Sequence, residues 1–239
     1  MDTKNTAVLV HGRHLETNEL ERLLWLGSGG ELGTLPTAVR AMLTWGVERI
    51  SLISVGTGSS TDPNTGLIES QVIKQYWLDN FDKLEQVSRI SQLPAWNMHK
   101  ETLRDLIKSA VTDIESRNTK QETLAAMKLF KDRGITNILQ VAGMNHAPRC
   151  QVNQSLVREE TGIISPQNWF LIADEAPYFA SSAQDVTVVE PPHKGDDELS
   201  RIDRSLLPSS IMRDFYALKT DEQRIMFLET ARIQIDKLL

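Results

Sequence analysis

Short apolar runs alternate with amphipathic segments along most of this chain, and that alternation limits the folds open to it. TAVLV, Thr6 to Val10, is apolar without a helical period and predicts a buried strand. In ELGTLPTAVRAMLTWG, Pro36 suits a first helical turn, Leu35, Val39, Met42 and Leu43 make one stripe, and Gly46 ends it. A second strand is expected from Arg49 to Val55, running into a glycine turn. LIESQVIKQYWLDNFDKLEQV has a helical period, whereas residues 88–101, with Pro94, Trp96 and His99, show no clear pattern and read as an insertion. ETLRDLIKSA predicts a helix and AVTDIES a short, weaker strand. The helix TKQETLAAMKLFKDRG closes at Gly134; NILQVAG is the next strand, then a helix from about Pro148 and the strand WFLIA, Trp169 to Ala173. DVTVVEPP gives a last strand, stopped by two prolines.

Repeated strand–helix alternation implies an α/β fold, a three-layer αβα sandwich whose mainly parallel sheet is covered on both faces. After PPHKGDDE the character changes. Residues 197–239 show no strand pattern and two helical stretches, the second opening at Thr220 with Gln223 as a capping box. The expected organisation is an α/β domain over residues 1–195 and a helical C-terminal region over 196–239.

Charge and composition narrow the function. A net charge of −6 argues against a general nucleic-acid binder, whose affinity rests on lysine and arginine at phosphates. No run of 18 apolar residues is present, and MDTKNTAVLVHGR lacks the apolar core of a signal peptide. Cys150 is the only cysteine, so no intrachain disulfide forms. A cytoplasmic protein without membrane or nucleic-acid partners is expected. Cys150 itself reads as a packed cysteine on the inner face of a helix in preference to a reactive thiol.

In an open parallel sheet, ligands bind outside the carboxyl ends of the strands. Those ends are polar and glycine-rich here: HGRH after the first strand, GTGSS after the second, ESRNT after the third and GMNHAPR after the fourth. His11, Gly12 and Arg13 in the first loop, and Gly56 and Gly58 in the second, are candidate ligand contacts. GTGSS is a weak phosphate cradle, since no Gly-Lys-Ser/Thr follows and the G-x-G-x-x-G spacing is missing. Asn118 or Ser116 also suits a helix cap. Glu69, Glu115 and His146 have metal-binding chemistry, but no HxxxH or HxH pair supports them and no metal is expected. His146 and Arg149 are three apart at a helix start, so both side chains can face one side. Arg149 offers a planar fork suited to phosphate or carboxylate, and the pair reads as an anion clamp.

ESRNTKQETLAAM, followed by a strand and HAPR, resembles the YdcF/SanA/ElyC family, whose members carry a Glu-x-Ser-x-Asn-Thr segment and then a strand ending in His-x-x-Arg. The matching positions are Glu115, Ser116, Asn118, Thr119 and Glu122, then His146, Pro148 and Arg149, with Ser116 following Glu115 directly where members often have one more residue between. Arg40 in TAVRAML, the turn SVGTGS and Glu69 beyond it fit as well, while HGRH stands where members have a glycine-rich first loop. The resemblance implies a Rossmann-like domain with a small helical C-terminal domain, as in the soluble YdcF-like branch. It implies S-adenosylmethionine as the cofactor to test, and it carries over no settled reaction. Membrane-anchored relatives are linked to cell-envelope integrity.

The leading expectation is a small-molecule binding protein, or an enzyme of unassigned reaction, for a nucleotide-like or phosphorylated anion. Arg40, His146 and Arg149 would hold the anionic part, Asn118 and Thr119 would orient it, and Ser116 and Glu122 would line the same site. Glu69 or Glu115 would contact a ribose hydroxyl or act as a base, and His146 is the acid–base candidate nearest neutrality. Two alternatives stand beside it. One is an S-adenosylmethionine-binding protein or methyltransferase, although the second strand ends in Val55-Gly56 without an acidic residue. The other is a regulatory or adaptor protein linked to the cell envelope, with the α/β core as scaffold.

Overall fold

A computed structural model describes residues 5–13, 15, 20–27, 29–57, 60–144, 146–161 and 168–175. All of them belong to the first of the two units, Met1–Val188 and Val189–Leu239, into which the chain divides. The strand expected in DVTVVEPP and the helical region expected from residue 196 lie outside the described residues.

In chain order the elements are β1 (Thr6–Val10), α1 (Leu20–Leu24), α2 (Thr34–Trp45), β2 (Ile50–Val55), α3 (Glu69–Asn80), α4 (Ser88–Ser91), α5 (Pro94–Lys108), β3 (Val111–Thr112), α6 (Thr119–Asp132), β4 (Asn137–Ala142), α7 (Ala147–Thr161) and β5 (Asn168–Ala173). The five strands form one sheet in the order β3-β2-β1-β4-β5, and every pairing is parallel. β1 is central, with Val8 opposite Ile53 on one side and Leu139 on the other.

Alternation along β1 divides the core. Val8 and Val10 point to one face, where Val39 and Met42 of α2, Ile73 and Trp77 of α3, and Leu103 and Ile107 of α5 pack. Ala7 and Leu9 point to the other, against Ala126 and Phe130 of α6. Cys150 of α7 packs with Ala142 on that second side. The chain steps outward from β1 through β2 to β3 with its helices on one face, then returns to β4 and β5 with helices on the opposite face. This is a Rossmann-like doubly wound α/β sandwich, and its strand order reverses between β1 and β4.

Two local readings change. The second strand begins at Ile50, because Val47–Arg49 forms a 3-10 turn ahead of it. Residues 88–101, expected as an unpatterned insertion, are helical across α4 and the first half of α5. Pro94 opens α5 where its missing N–H costs nothing, and Trp96, Leu103 and Ile107 then fall on one buried stripe. At the other end of the domain, Gly134 closes α6 with φ of 67°, a left-handed position that favours glycine.

Phe130 is fully buried, whereas Ile114 is 53% exposed. Phe130→Ala is expected to cost about 3–5 kcal/mol in urea unfolding and Ile114→Ala no more than about 0.5 kcal/mol. A loss under 1 kcal/mol for Phe130→Ala would contradict its place in the core.

Candidate functional site

The parity that buries Ala7 and Leu9 also aims His11 at the α6 and α7 face. Its backbone continues the ladder, with His11 N donating to Val141 O at 2.9 Å, so the ring leaves β1 on the same side as Leu9. The side chain is buried. His11 Nδ1 lies 2.8 Å from Glu122 Oε2, and Gly12 N donates to the other carboxylate oxygen at 3.0 Å. Glu122 reaches this point from the first turn of α6 and passes directly against Gly56. A Cβ there would fall 1.3 Å from Glu122 Oε1, so the close approach requires glycine. Gln140, on the matching parity of β4, sets its side-chain amide nitrogen 2.8 Å from His11 Nε2. That contact suits the Nδ1–H tautomer; protonating Nε2 would turn the amide end for end.

α7 brings the second half of the site. Cys150 N donates to His146 O at 3.1 Å, and the four-residue spacing stacks both side chains on one face. His146 Nε2 is 3.3 Å from the Thr119 hydroxyl at the start of α6, and the His146 ring meets the His11 ring edge-on at 5.8 Å between centroids. Cys150 is fully buried between these groups. One ligand-capable atom from each of His11, His146 and Cys150 lies within 4.8 Å of the other two.

The remaining candidates divide. Glu69 is buried, accepts from the Ser60 hydroxyl at 2.5 Å, and stands so close to Gly12 that a Cβ would lie 2.2 Å from Oε1. Arg13 is buried and donates to Asp174 Oδ2 at 2.6 Å; Thr34 donates to the same oxygen at 2.7 Å, and Met144 N to Oδ1 at 2.9 Å. Arg13 is thus committed to pinning the β1 loop to the end of β5. Asn118 caps α6, accepting from Gln121 N at 2.9 Å. Ser116 is buried in the turn where Asp113 Oδ1 accepts from its backbone N–H at 3.0 Å. Arg149 is half-buried, one residue before Cys150.

One expected member stands elsewhere. Arg40 lies six residues into α2, about 9 Å below its start, and pairs with Glu175 at 3.1 Å, whose carboxylate also takes Arg89. Glu115 is exposed beside α6 and lines a cavity that Gly56, Ser116 and Glu122 also line. Gly58 lies outside the described residues. Gln140, Cys150 and Asp174 join the site without having been expected in it. Gln140 left a signal, an amide at an inward position between the apolar pairs Ile138-Leu139 and Val141-Ala142.

Electrostatics at the centre follow from burial and proximity. Burial works against charge on His11, but Cys150 and Glu122 outweigh it and carry the imidazole up from 6.5 to about 10. Burial likewise opposes a thiolate on Cys150, and His11 and His146 overcome it, drawing the thiol from 9.0 down to about 6. Burial raises the Asp174 carboxyl above its ordinary value, against the pull of Arg13.

Compared with known proteins, the chain matches no family model, no curated protein and no solved structure.

The stability of the protein should depend on pH through His11 and Cys150. The His11 contribution is full below 6.5 and is lost as pH rises through about 10. That of Cys150 is full above 9.0 and is lost as pH falls through about 6. The two changes offset each other in between, so urea midpoints should hold a plateau from about pH 6.5 to 9 and fall on both sides. Cys150→Ala should remove the drop near pH 6; an unchanged profile would mean that no thiolate forms. Separately, Gly56→Ala should cost about 3 kcal/mol by displacing the buried Glu122 carboxylate. Its effect should be smaller in a Glu122→Ala background, and full additivity would show that the two do not touch.

Proposed function

We propose that this chain binds a small anionic molecule, nucleotide-like or phosphorylated, outside the carboxyl ends of β1 and β4. The observation that carries the reading is the contact between Thr119 and His146. It joins the N-terminal ends of α6 and α7 beside the point where the strand order reverses, the place at which doubly wound sheets take ligands. Both helix starts favour negative charge. Arg149 supplies the cationic side chain, His146 adds its ring, and Thr119 holds the imidazole. The likeness of this segment to the His-x-x-Arg motif supports the same assignment. In this reading His146 is also the group that moves a proton, and Glu69, buried against Gly12, is the nearby base. Glu122 and His11 form the floor, and Arg13 maintains the shape of the site through Asp174.

S-adenosylmethionine is the weaker candidate, because β2 ends in Val55 and runs into Gly56 and Thr57 without an acidic residue of its own, and the Glu122 carboxylate that lies against Gly56 is already held by His11 and Gly12. Native mass spectrometry of freshly purified full-length protein should show a retained small anion. Calorimetric titration with inorganic phosphate, AMP and S-adenosylmethionine should rank a phosphorylated compound first. Arg149→Ala should weaken that binding by about 1.5–3 kcal/mol, and Arg149→Lys should recover only part, since lysine keeps the charge but loses the fork. Equal affinity in Arg149→Ala, or no binding of any anion, would leave the core as a scaffold.

A further inference from the structure

We propose that His11, His146 and Cys150 together bind one borderline-soft divalent cation, zinc foremost, as a three-ligand site. Their ligand atoms already lie within 4.8 Å of one another, gathered from the end of β1 and the start of α7. A tetrahedral zinc ion, with bonds of about 2.0–2.1 Å to nitrogen and 2.3 Å to sulfur, holds such atoms about 3.3–3.6 Å apart. Closing by about 1 Å is within reach of small side-chain rotations. A thiolate with two imidazoles selects zinc or copper over magnesium or calcium.

The surroundings are those of metal-ligating histidines. Glu122 takes the Nδ1 proton of His11 at 2.8 Å, so Nε2 is the ligand atom, and the ion would displace the Gln140 amide from it. Thr119 meets His146 at Nε2, 3.3 Å away, so Nδ1 is assigned as the second ligand atom. Outer partners of this kind orient the rings and set the tautomer. Glu122 is itself fixed by Gly12 N at 3.0 Å and by the space that Gly56 leaves open. Charge balances as well. A doubly positive ion, the Cys150 thiolate and the Glu122 carboxylate sum to zero around neutral imidazoles, as a water-poor site demands. Three protein ligands leave a tetrahedral ion one further position, open to water or to an anionic group. The inference does not rest on anion binding; with the ion bound, His146 is its ligand in place of the proton-moving role, and each reading is measured without the other.

The full chain, stripped with chelator and dialysed, is titrated with Zn²⁺ and with Co²⁺. One equivalent is expected to bind; cobalt should give a thiolate-to-metal charge-transfer band, and the melting temperature should rise with zinc concentration. Cys150→Ser should abolish the band and weaken zinc at least about tenfold, and Glu122→Gln should weaken zinc about 10–100-fold. His146→Asn, at a half-buried position, gives a second variant if the buried ones do not fold. Phosphate titration of the stripped protein tests the anion reading separately. Absence of the cobalt band in the native sequence, or zinc binding unchanged by Cys150→Ser or His146→Asn, would overturn the proposal.

Discussion

The buried carboxylate of Glu122 ties three parts of the domain together. It arrives from α6, accepts from the His11 ring and the Gly12 backbone at the end of β1, and lies against Gly56 at the end of β2. A carboxylate removed from water is costly unless its oxygens are satisfied, and here each oxygen has a donor. The consequence is positional. α6 crosses from the β3 edge to β4, and Glu122 fixes its first turn under the two central strand ends. Thr119, on that same turn, is thereby placed to meet His146.

A second buried pair closes the other side. Arg13 and Asp174 join the loop after β1 to the residue after β5, and Thr34 and Met144 donate to the same carboxylate. Gly143 makes room for the guanidinium, since a Cβ there would lie 1.9 Å from Arg13 Nη2. The cluster of His11, His146 and Cys150 shares His11 with the first of these pairs. The apolar layers supply most of the driving force for folding, and the polar network decides how the strand ends are arranged. Near-balance of charge within the cluster lets ionisable groups share a water-poor space.

Much of the fold was legible because its signals are local. Buried parallel strands need β-branched apolar runs, and TAVLV and NILQVA have them; α2 shows its stripe and its terminal glycine. α5 was harder to read because Pro94 and the tryptophan beside it obscure a period that only becomes clear when proline is taken as the first helical residue. The site was legible in part. Polar strand ends marked His11, Gly12, Thr119 and His146, and the family resemblance marked Glu122. Arg40 was misplaced because a motif position does not say how far down a helix a side chain sits. Cys150, read as a packed cysteine, is buried as expected, but packing alone does not describe its neighbours.

By itself the sequence determined the order of strands and helices, the parity of each strand and the polar character of the loops. Those properties depend on spacing between near neighbours, which a chain carries before it folds. Only the tertiary structure decided that His11 meets Glu122, 111 residues away, that Gln140 faces the same ring, and that Arg13 is occupied by Asp174. These contacts depend on which strands become neighbours and where the winding reverses. No local pattern encodes that pairing, because it is fixed by the packing of the whole sheet between its two layers of helices.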